Sequence, residues 1–323
     1  MRRFRGAGRP SCWIVALLLM AVSTSIAHGS DRSSPDGSIC DFAPGNPALW
    51  ELVAASDIVA VGTLDVPKKK LTAEARTERR NRRYVNIPLQ IEHVLKGQWT
   101  GADAAIRFYP DSFRDPSVDW IIGSSERKSI VFLFEFDSNP PDLYFAIHDI
   151  AALQPVTDTS LSKVKAEIDR QAQLLRHWRV MSDLPHFDRV KTLIASLRAI
   201  RADVIGRDAA IKTQQSIFSS LEKLGTAAVP AIVMQMNDFR PLPVSYIKLQ
   251  NNFGRPGFEA YRQYSPDAVV DALSALLNQI TGHDFGYIAN GASRGKRQAA
   301  VNGWRVYASE QICGKLKPSP PSK

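Results

Sequence analysis

Ile130-Val131-Phe132-Leu133-Phe134-Glu135-Phe136 carries apolar side chains at every position but Glu135. A strand with one face in water alternates apolar with polar residues, so a run that does not alternate is covered on both faces. It is expected at the centre of a sheet, and shorter strand candidates surround it. Upstream lies the β-branched run Asp57-Ile58-Val59-Ala60-Val61-Gly62-Thr63-Leu64. Tyr84 to Leu95 then alternates, turning at Lys96-Gly97-Gln98, and Ala105-Ile106-Arg107-Phe108-Tyr109 follows. Downstream are Leu143–Ile147 and Leu153–Val156. Pro88 lacks an N–H, which predicts an edge or bulged position for its strand. Five or six short strands separated by turns predict a small barrel or sandwich.

At Asp158 the period changes. Val164, Ile168, Leu175 and Trp178 fall on one side of an amphipathic helix. Further helices are expected at 187–203, 208–224, 227–237, 266–281 and 294–311, with Gly225 as a stop and Pro230 in a first turn. The Pro-, Gly- and Asn-rich stretch 238–265 reads as a long loop. The fold class is therefore α+β, with an N-terminal small β-barrel or sandwich and a C-terminal compact helical domain. Its expected boundaries are a flexible N-terminus at 28–47, a β-rich domain at 48–157, a connecting helix at 158–185, a helical domain at 186–312 and a Pro/Lys-rich tail at 313–323.

Residues 1–27 read as a secretory signal peptide. Arg2, Arg3, Arg5 and Arg9 precede an uncharged apolar run from Cys12 to Val22, and small residues lead to Ala27. Eleven apolar residues fall short of the roughly 20 of a spanning helix. Cleavage would lower the formal charge from +9 to about +5, since four arginines and no acid leave with the leader. The remainder holds no transmembrane span and keeps two of the three cysteines, Cys40 and Cys313. In an oxidising compartment these are candidates for one disulfide.

Two segments carry resemblances. Asp57–Thr63, His93-Val94-Leu95-Lys96-Gly97 and the 130–136 strand resemble the small five-stranded barrels of the netrin and tissue-inhibitor-of-metalloproteinase kind, over about residues 48–157. That resemblance implies an OB-type barrel, with protease inhibition as one family activity. Leu221-Glu222-Lys223-Leu224-Gly225-Thr226-Ala227-Ala228-Val229-Pro230-Ala231-Ile232 resembles the inter-helix turn of HEAT-type repeats. Thr281-Gly282-His283-Asp284-Phe285-Gly286-Tyr287, with the helix bearing Trp304 and Tyr307, is similar to a tail that follows such repeats in exported bacterial proteins. One repeat turn implies a compact HEAT-like domain rather than a solenoid.

No catalytic constellation stands out. Ser125/Lys128 and Ser160/Lys163 have the Ser-x-x-Lys spacing, but lack the companion motifs that give it chemistry. Glu135 and Asp137 leave one face of a strand and would suit acid–base work. The favoured reading is a strand passing from core into solvent as it nears Asn139-Pro140. His148 and Asp149 point to opposite faces, His93, His177 and His186 have no partner in the sequence, and Trp304, Tyr307 and Ala300 share a helical face that reads as core. The basic stretch 68–83 holds Lys68, Lys69, Lys70, Arg76, Arg79, Arg80, Arg82 and Arg83 against Glu74 and Glu78. It reads as an exposed loop able to hold an anionic partner, or as a solvated, partly helical connector. Nucleic acid would call for aromatic interleaving that is absent.

The expectation is an exported, non-enzymatic interaction protein of the cell envelope, with no metal or other cofactor. Its partner would be an envelope protein or an anionic envelope polymer, met at Lys68, Lys69, Lys70, Arg79, Arg80, Arg82 and Arg83. The rivals are a metal-independent hydrolase with Glu135, Asp137 or His148 in a cleft between the domains, and a protease-inhibitor-like barrel.

Overall fold

A computed structural model describes residues 39–42, 49–81, 84–99, 103–108, 118–136, 142–146, 150–253 and 260–314. The expected leader, most of the N-terminal 28–47 segment, Asp137, His148, Asp149 and the tail beyond 314 lie outside them. The protein is α+β, with an N-terminal five-stranded barrel followed by a helical region.

The barrel begins after a short helix, α1 (Trp50–Ala55), with β1 (Ile58–Leu64). Then come α2 (Lys68–Asn81), β2 (Val85–Lys96), β3 (Asp103–Phe108), α3 (Val118–Ser124), β4 (Lys128–Phe136), β5 (Asp142–Phe145) and β6 (Leu153–Pro155). Strands pair in the order β1-β2-β3-β5-β4, and β4 returns to β1, closing the ring. The β3–β5 pair is parallel and the others antiparallel. As its unbroken apolar pattern requires, β4 has three neighbours: β1, β5 and β6. Ile130 to Leu133 are fully buried. In β2, Val85, Ile87 and Leu89 point inward while the intervening residues are exposed.

In each of two expectations, one alternative is corrected here. Pro88 is not at an edge, since β2 pairs with both β1 and β3, but its strand is bulged, the register against β1 shifting between Val59 and Ala60 and between Val61 and Gly62. The N–H and C=O of one strand residue point to the same side, and Pro88 O accepts the Asp65 N–H just past the end of β1. The missing N–H therefore faces the place where the chain leaves the barrel, and no β2–β3 bond is lost. Residues 68–81 are helical, as the connector alternative expects, and not a loop. Leu71, 1 % exposed, anchors that helix, and Lys70 and Glu74 pair at i,i+4.

The helical region holds α4 (Asp158–Arg176), α5 (Phe187–Ser196), α6 (Ala202–Ile205), α7 (Arg207–Glu222), α8 (Val229–Val233), α9 (Val269–Thr281) and α10 (Arg294–Ile312), with β7 (Ile247–Gln250) and β8 (Tyr261–Tyr264) before α9. Helix α4 starts in a capping box: Thr157 Oγ1 accepts the Ser160 N–H at 3.0 Å, and Ser160 Oγ accepts the Thr157 N–H at 2.9 Å. The Ser160 hydroxyl is thus a cap. Ser125, fully buried, donates to Val66 O. The two Ser-x-x-Lys spacings belong to packing and capping.

The expected helix at 187–203 breaks into α5, a 3₁₀ turn and α6, and the one at 227–237 shortens to a 3₁₀ turn plus α8. The stretch 238–265 is not wholly a loop, because β7 and β8 form an antiparallel hairpin. Glutamines of α7 hold it by the backbone: Gln214 bonds Val244 and Tyr246, and Gln215 bonds Lys248. Trp304, Tyr307 and Ala300 are core, as their spacing predicts. Among the described residues no helix is long and apolar enough to cross a membrane.

Candidate functional site at the barrel–helix junction

Helix α1 has two apolar faces, and they serve two different cores. Leu52 and Val53 pack in the barrel core, whereas Trp50, Ala54 and Ala55 pack in the helical core. The described residues accordingly belong to one compact unit. Gln171 of α4 donates to Trp50 O at 2.8 Å. Further along α4, Arg170 lies 2.7 Å from Glu167 and 2.9 Å from Glu310 of α10, both carboxylates being almost fully buried.

The charges of the junction collect where α1 hands the chain to β1. Asp57 Oδ2 accepts the Glu135 backbone N–H at 2.9 Å and lies 2.9 Å from Lys296 Nζ on α10. The same ammonium is 3.0 Å from Glu135 Oε2 and faces the Phe134 ring at 5.6 Å. One cation therefore binds β4 and the start of β1 to the last helix. Lys96, at the end of β2, donates to Val53 O and Ser56 O, covering carbonyls that α1 leaves open at its C-terminus. Burial pushes its ammonium down to about 8, against the pull of nearby Asp57.

Two hollows flank this cluster, sharing Asp57 and Ala299. One, of about 230 Å³, is lined by Lys96, Ile168, Leu175 and Phe285 and is mainly apolar. The other, of about 210 Å³, is lined by Phe134, Glu135, Phe136, Tyr287 and Lys296. Also against α1, His283 Nδ1 meets Glu51 Oε1 at 2.6 Å beside an aromatic cluster of Trp50, Phe285, Trp304 and Tyr307. Burial pushes the Tyr307 phenol up to about 12, with the Glu51 charge acting in the same direction.

Of the residues singled out in the sequence, Glu135 does line an interdomain hollow, but its carboxylate is held by Lys296. Lys68, Lys69 and Lys70 are exposed at the start of α2. Arg79 and Arg80 lie in the same helix, and Arg82 and Arg83 fall outside the described residues. Cys40 and Cys313 are bonded, with Cα atoms 5.5 Å apart. Sequence reasoning missed Asp57, Lys96, Lys296 and the Glu51–His283 pair.

Searches against protein-family models, curated proteins and solved structures find no match for this chain. The site therefore has to be read from its own chemistry. The junction charges are mutually engaged, and among the described residues no three His, Cys, Asp or Glu side chains gather to hold a metal ion. Such a cluster fastens the two halves together and holds a shaped surface around them.

Proposed function

We propose that the chain is an exported, non-enzymatic binding protein of the cell envelope that meets an anionic envelope polymer through α2. The observation that carries this reading is the first turn of α2. Lys68, Lys69 and Lys70 stand exposed there, at the end of the helix where the backbone dipole is already positive. Among the described residues Lys70 alone of the three meets a carboxylate, Glu74 at a loose 3.9 Å. Leu71 pins the turn to the barrel, so the charges are displayed on a fixed element. A uniform positive patch of this kind attracts polyanions at long range and answers to salt.

The cyclic strand order β1-β2-β3-β5-β4 supports the OB-type, netrin-like reading of the barrel, whose loops are commonly binding surfaces. The Gly225 turn between α7 and α8, with Pro230 in the first turn of α8, supports the HEAT-like reading of the helices. Export is supported by the leader pattern and by the Cys40–Cys313 bond, which suits an oxidising compartment. Inhibition in the manner of the resembled barrels needs an ordered cysteine at the mature N-terminus, whereas Cys40 is tied to the end of the last helix.

Binding of the mature chain to immobilised lipopolysaccharide across a salt series tests the proposal. Reversing Lys68, Lys69 and Lys70 to Glu should weaken binding and flatten its salt dependence. Reversing Arg79, Arg80, Arg82 and Arg83 should extend the loss. An unchanged salt dependence in both variants would overturn the polymer-binding reading. The hydrolase reading draws on Glu135 lining the interdomain hollow. Turnover of generic ester, phosphate or glycoside substrates, abolished by Glu135→Gln, would replace our proposal with it.

A further inference from the structure

The β7–β8 hairpin has two edges with different neighbours. Its register pairs Ile247 with Tyr264 and Leu249 with Arg262, and the Asn251 N–H continues the ladder to Ala260 O at 3.0 Å. In an antiparallel ladder such bonded pairs alternate with pairs whose N–H and C=O point outward. Lys248 and Gln250 are the outward residues of β7, and α7 meets them. Gln215 accepts the Lys248 N–H and donates to its carbonyl, while Glu222 accepts the Gln250 N–H. On β8 the outward residues are Tyr261 and Gln263. Just beyond them, Asn290 Oδ1 accepts the Ser265 N–H at 2.8 Å and ends the run. Among the described residues no group bonds the outward N–H or C=O of Tyr261 or Gln263.

Two donors and two acceptors thus stand in a row on β8, the arrangement that a further strand completes. Room for one is present. A hollow of about 290 Å³ lies beside Gln263, with Tyr264, Asn278 and Asn290 also in its walls. The hairpin is already held by the α7 glutamines, so an added strand need order little besides itself. Charge selects among strands. Arg262 lines the same hollow beside the Tyr264 hydroxyl and has no carboxylate partner among the described residues. Asp284, also in the wall, is already engaged. Lys248 adds a second cation, 4.3 Å over the Tyr261 ring. A second copy of this edge is a poor occupant. Pairing Tyr261 with the copy's Gln263 would set Arg262 opposite Arg262, and like charges directly opposite repel.

We propose that the open edge of β8 receives an extended acidic segment of another polypeptide as an antiparallel third strand. The residues opposite Tyr261 and Gln263 exchange main-chain hydrogen bonds with them, and a Glu or Asp between those two faces Arg262 across the strands. The surface is separate from the polymer contact at α2, and either can fail without the other.

Fluorescence anisotropy of the labelled, end-blocked pentapeptide Thr-Val-Glu-Val-Thr, titrated with the mature chain, tests it. Its β-branched residues suit a strand, and the central Glu sets the register. Saturable binding is expected below about 1 mM. Methylating both valine nitrogens, which face β8, should weaken it at least about tenfold, whereas a methyl on the outward Glu nitrogen should change it less than about twofold. Replacing the peptide's Glu by Lys, or Arg262→Gln in the protein, should weaken it about two- to fivefold. Gln263→Pro removes an N–H that the β7 ladder does not use and should abolish binding. The methylated peptides leave the protein untouched, so the test holds even where that variant fails to fold. The proposal is overturned by no saturation at about 1 mM, by equal binding of the valine-methylated peptide, or by unaltered affinity for the Lys peptide or in folded Arg262→Gln. Dimerisation of the mature chain that is lost in Gln263→Pro would also overturn it, giving the edge to a second copy.

Discussion

Lys296 Nζ lies 2.9 Å from Asp57 Oδ2, across 239 residues of chain, and the same nitrogen lies 3.0 Å from Glu135 Oε2. The last helix therefore carries the counter-ion of two carboxylates of the barrel. Removing that cation leaves both charges close together and poorly hydrated. Lys296→Met should destabilise the protein by about 2 kcal/mol, less than for fully buried pairs because Glu135 is one-third exposed. Adding Asp57→Asn and Glu135→Gln should recover part of the loss. Urea unfolding at neutral pH measures both, and an unchanged midpoint in the single variant would show the bridge to be dispensable.

The difference between what the sequence discloses and what it hides lies in range. Strand β4 is readable because five consecutive apolar side chains, Ile130 to Phe134, break the alternation of a half-exposed strand, and Trp304 and Tyr307 because they sit three apart on a helix. The cysteine pair is readable from compartment and parity alone. Helix α2 is not, because Leu71 is the one large apolar residue in its sequence and charged residues dominate the rest. The β7–β8 hairpin hides for a similar reason, as its four-residue strands mix Lys, Arg, Gln and Tyr and are held by glutamines of α7. Asp57, Glu135 and Lys296 meet only through closure of the fold, and so do Glu51 and His283. No local spacing announces either pair.

The Cys40–Cys313 bond closes a loop of 273 residues and joins a 3₁₀ turn at Ile39–Phe42 to the end of α10. Chain-entropy reasoning gives a loop this long an upper value of about 5 kcal/mol, and measured gains are commonly smaller. Reduction, or Cys40→Ser with Cys313→Ser, should lower the unfolding temperature without changing the folded far-ultraviolet spectrum. Non-reducing peptide maps should contain one linked Cys40–Cys313 peptide. Recovery of two separately alkylated cysteines, without prior reduction, would refute the bond.

Gly303 faces Phe285 inside the helical core, and a Cβ placed there would stand 2.4 Å from Phe285 Cβ. Both groups are confined, with Phe285 2 % exposed and Trp304 packed on its ring at 4.9 Å between centroids. Helix propensity alone would make Gly303→Ala stabilising by nearly 1 kcal/mol. Overpacking should win, leaving a net loss of about 1–2 kcal/mol. A rise in thermal stability in this variant would mean that the turn bearing Phe285 yields easily.

The stability of the protein should increase between pH 8 and pH 10, and Lys96 is the reason. Its ammonium covers Val53 O and Ser56 O at the end of α1, where burial lowers the folded-state pKa from 10.5 to about 8. Above about pH 8 the folded chain releases this proton, while the unfolded chain keeps it up to 10.5. Stability rises wherever the unfolded state binds more protons, so the penalty of the buried charge is full below pH 8 and fades as pH climbs. The neutral amine still has two hydrogens for its two carbonyls, so the cap survives deprotonation. From pH 7 to pH 10 the gain should be about 2–3 kcal/mol. Tyr307 acts oppositely but later: its phenol titrates near 12 when folded and near 10 when unfolded, so it lowers stability above pH 10. Lys96→Met keeps the length of the side chain and removes the titration. The difference in unfolding free energy between wild type and this variant, measured by urea at pH 7, 8, 9 and 10, should shift steadily in favour of the wild type. A difference that stays flat, or that moves the other way, would show that the Lys96 ammonium is hydrated in the folded protein.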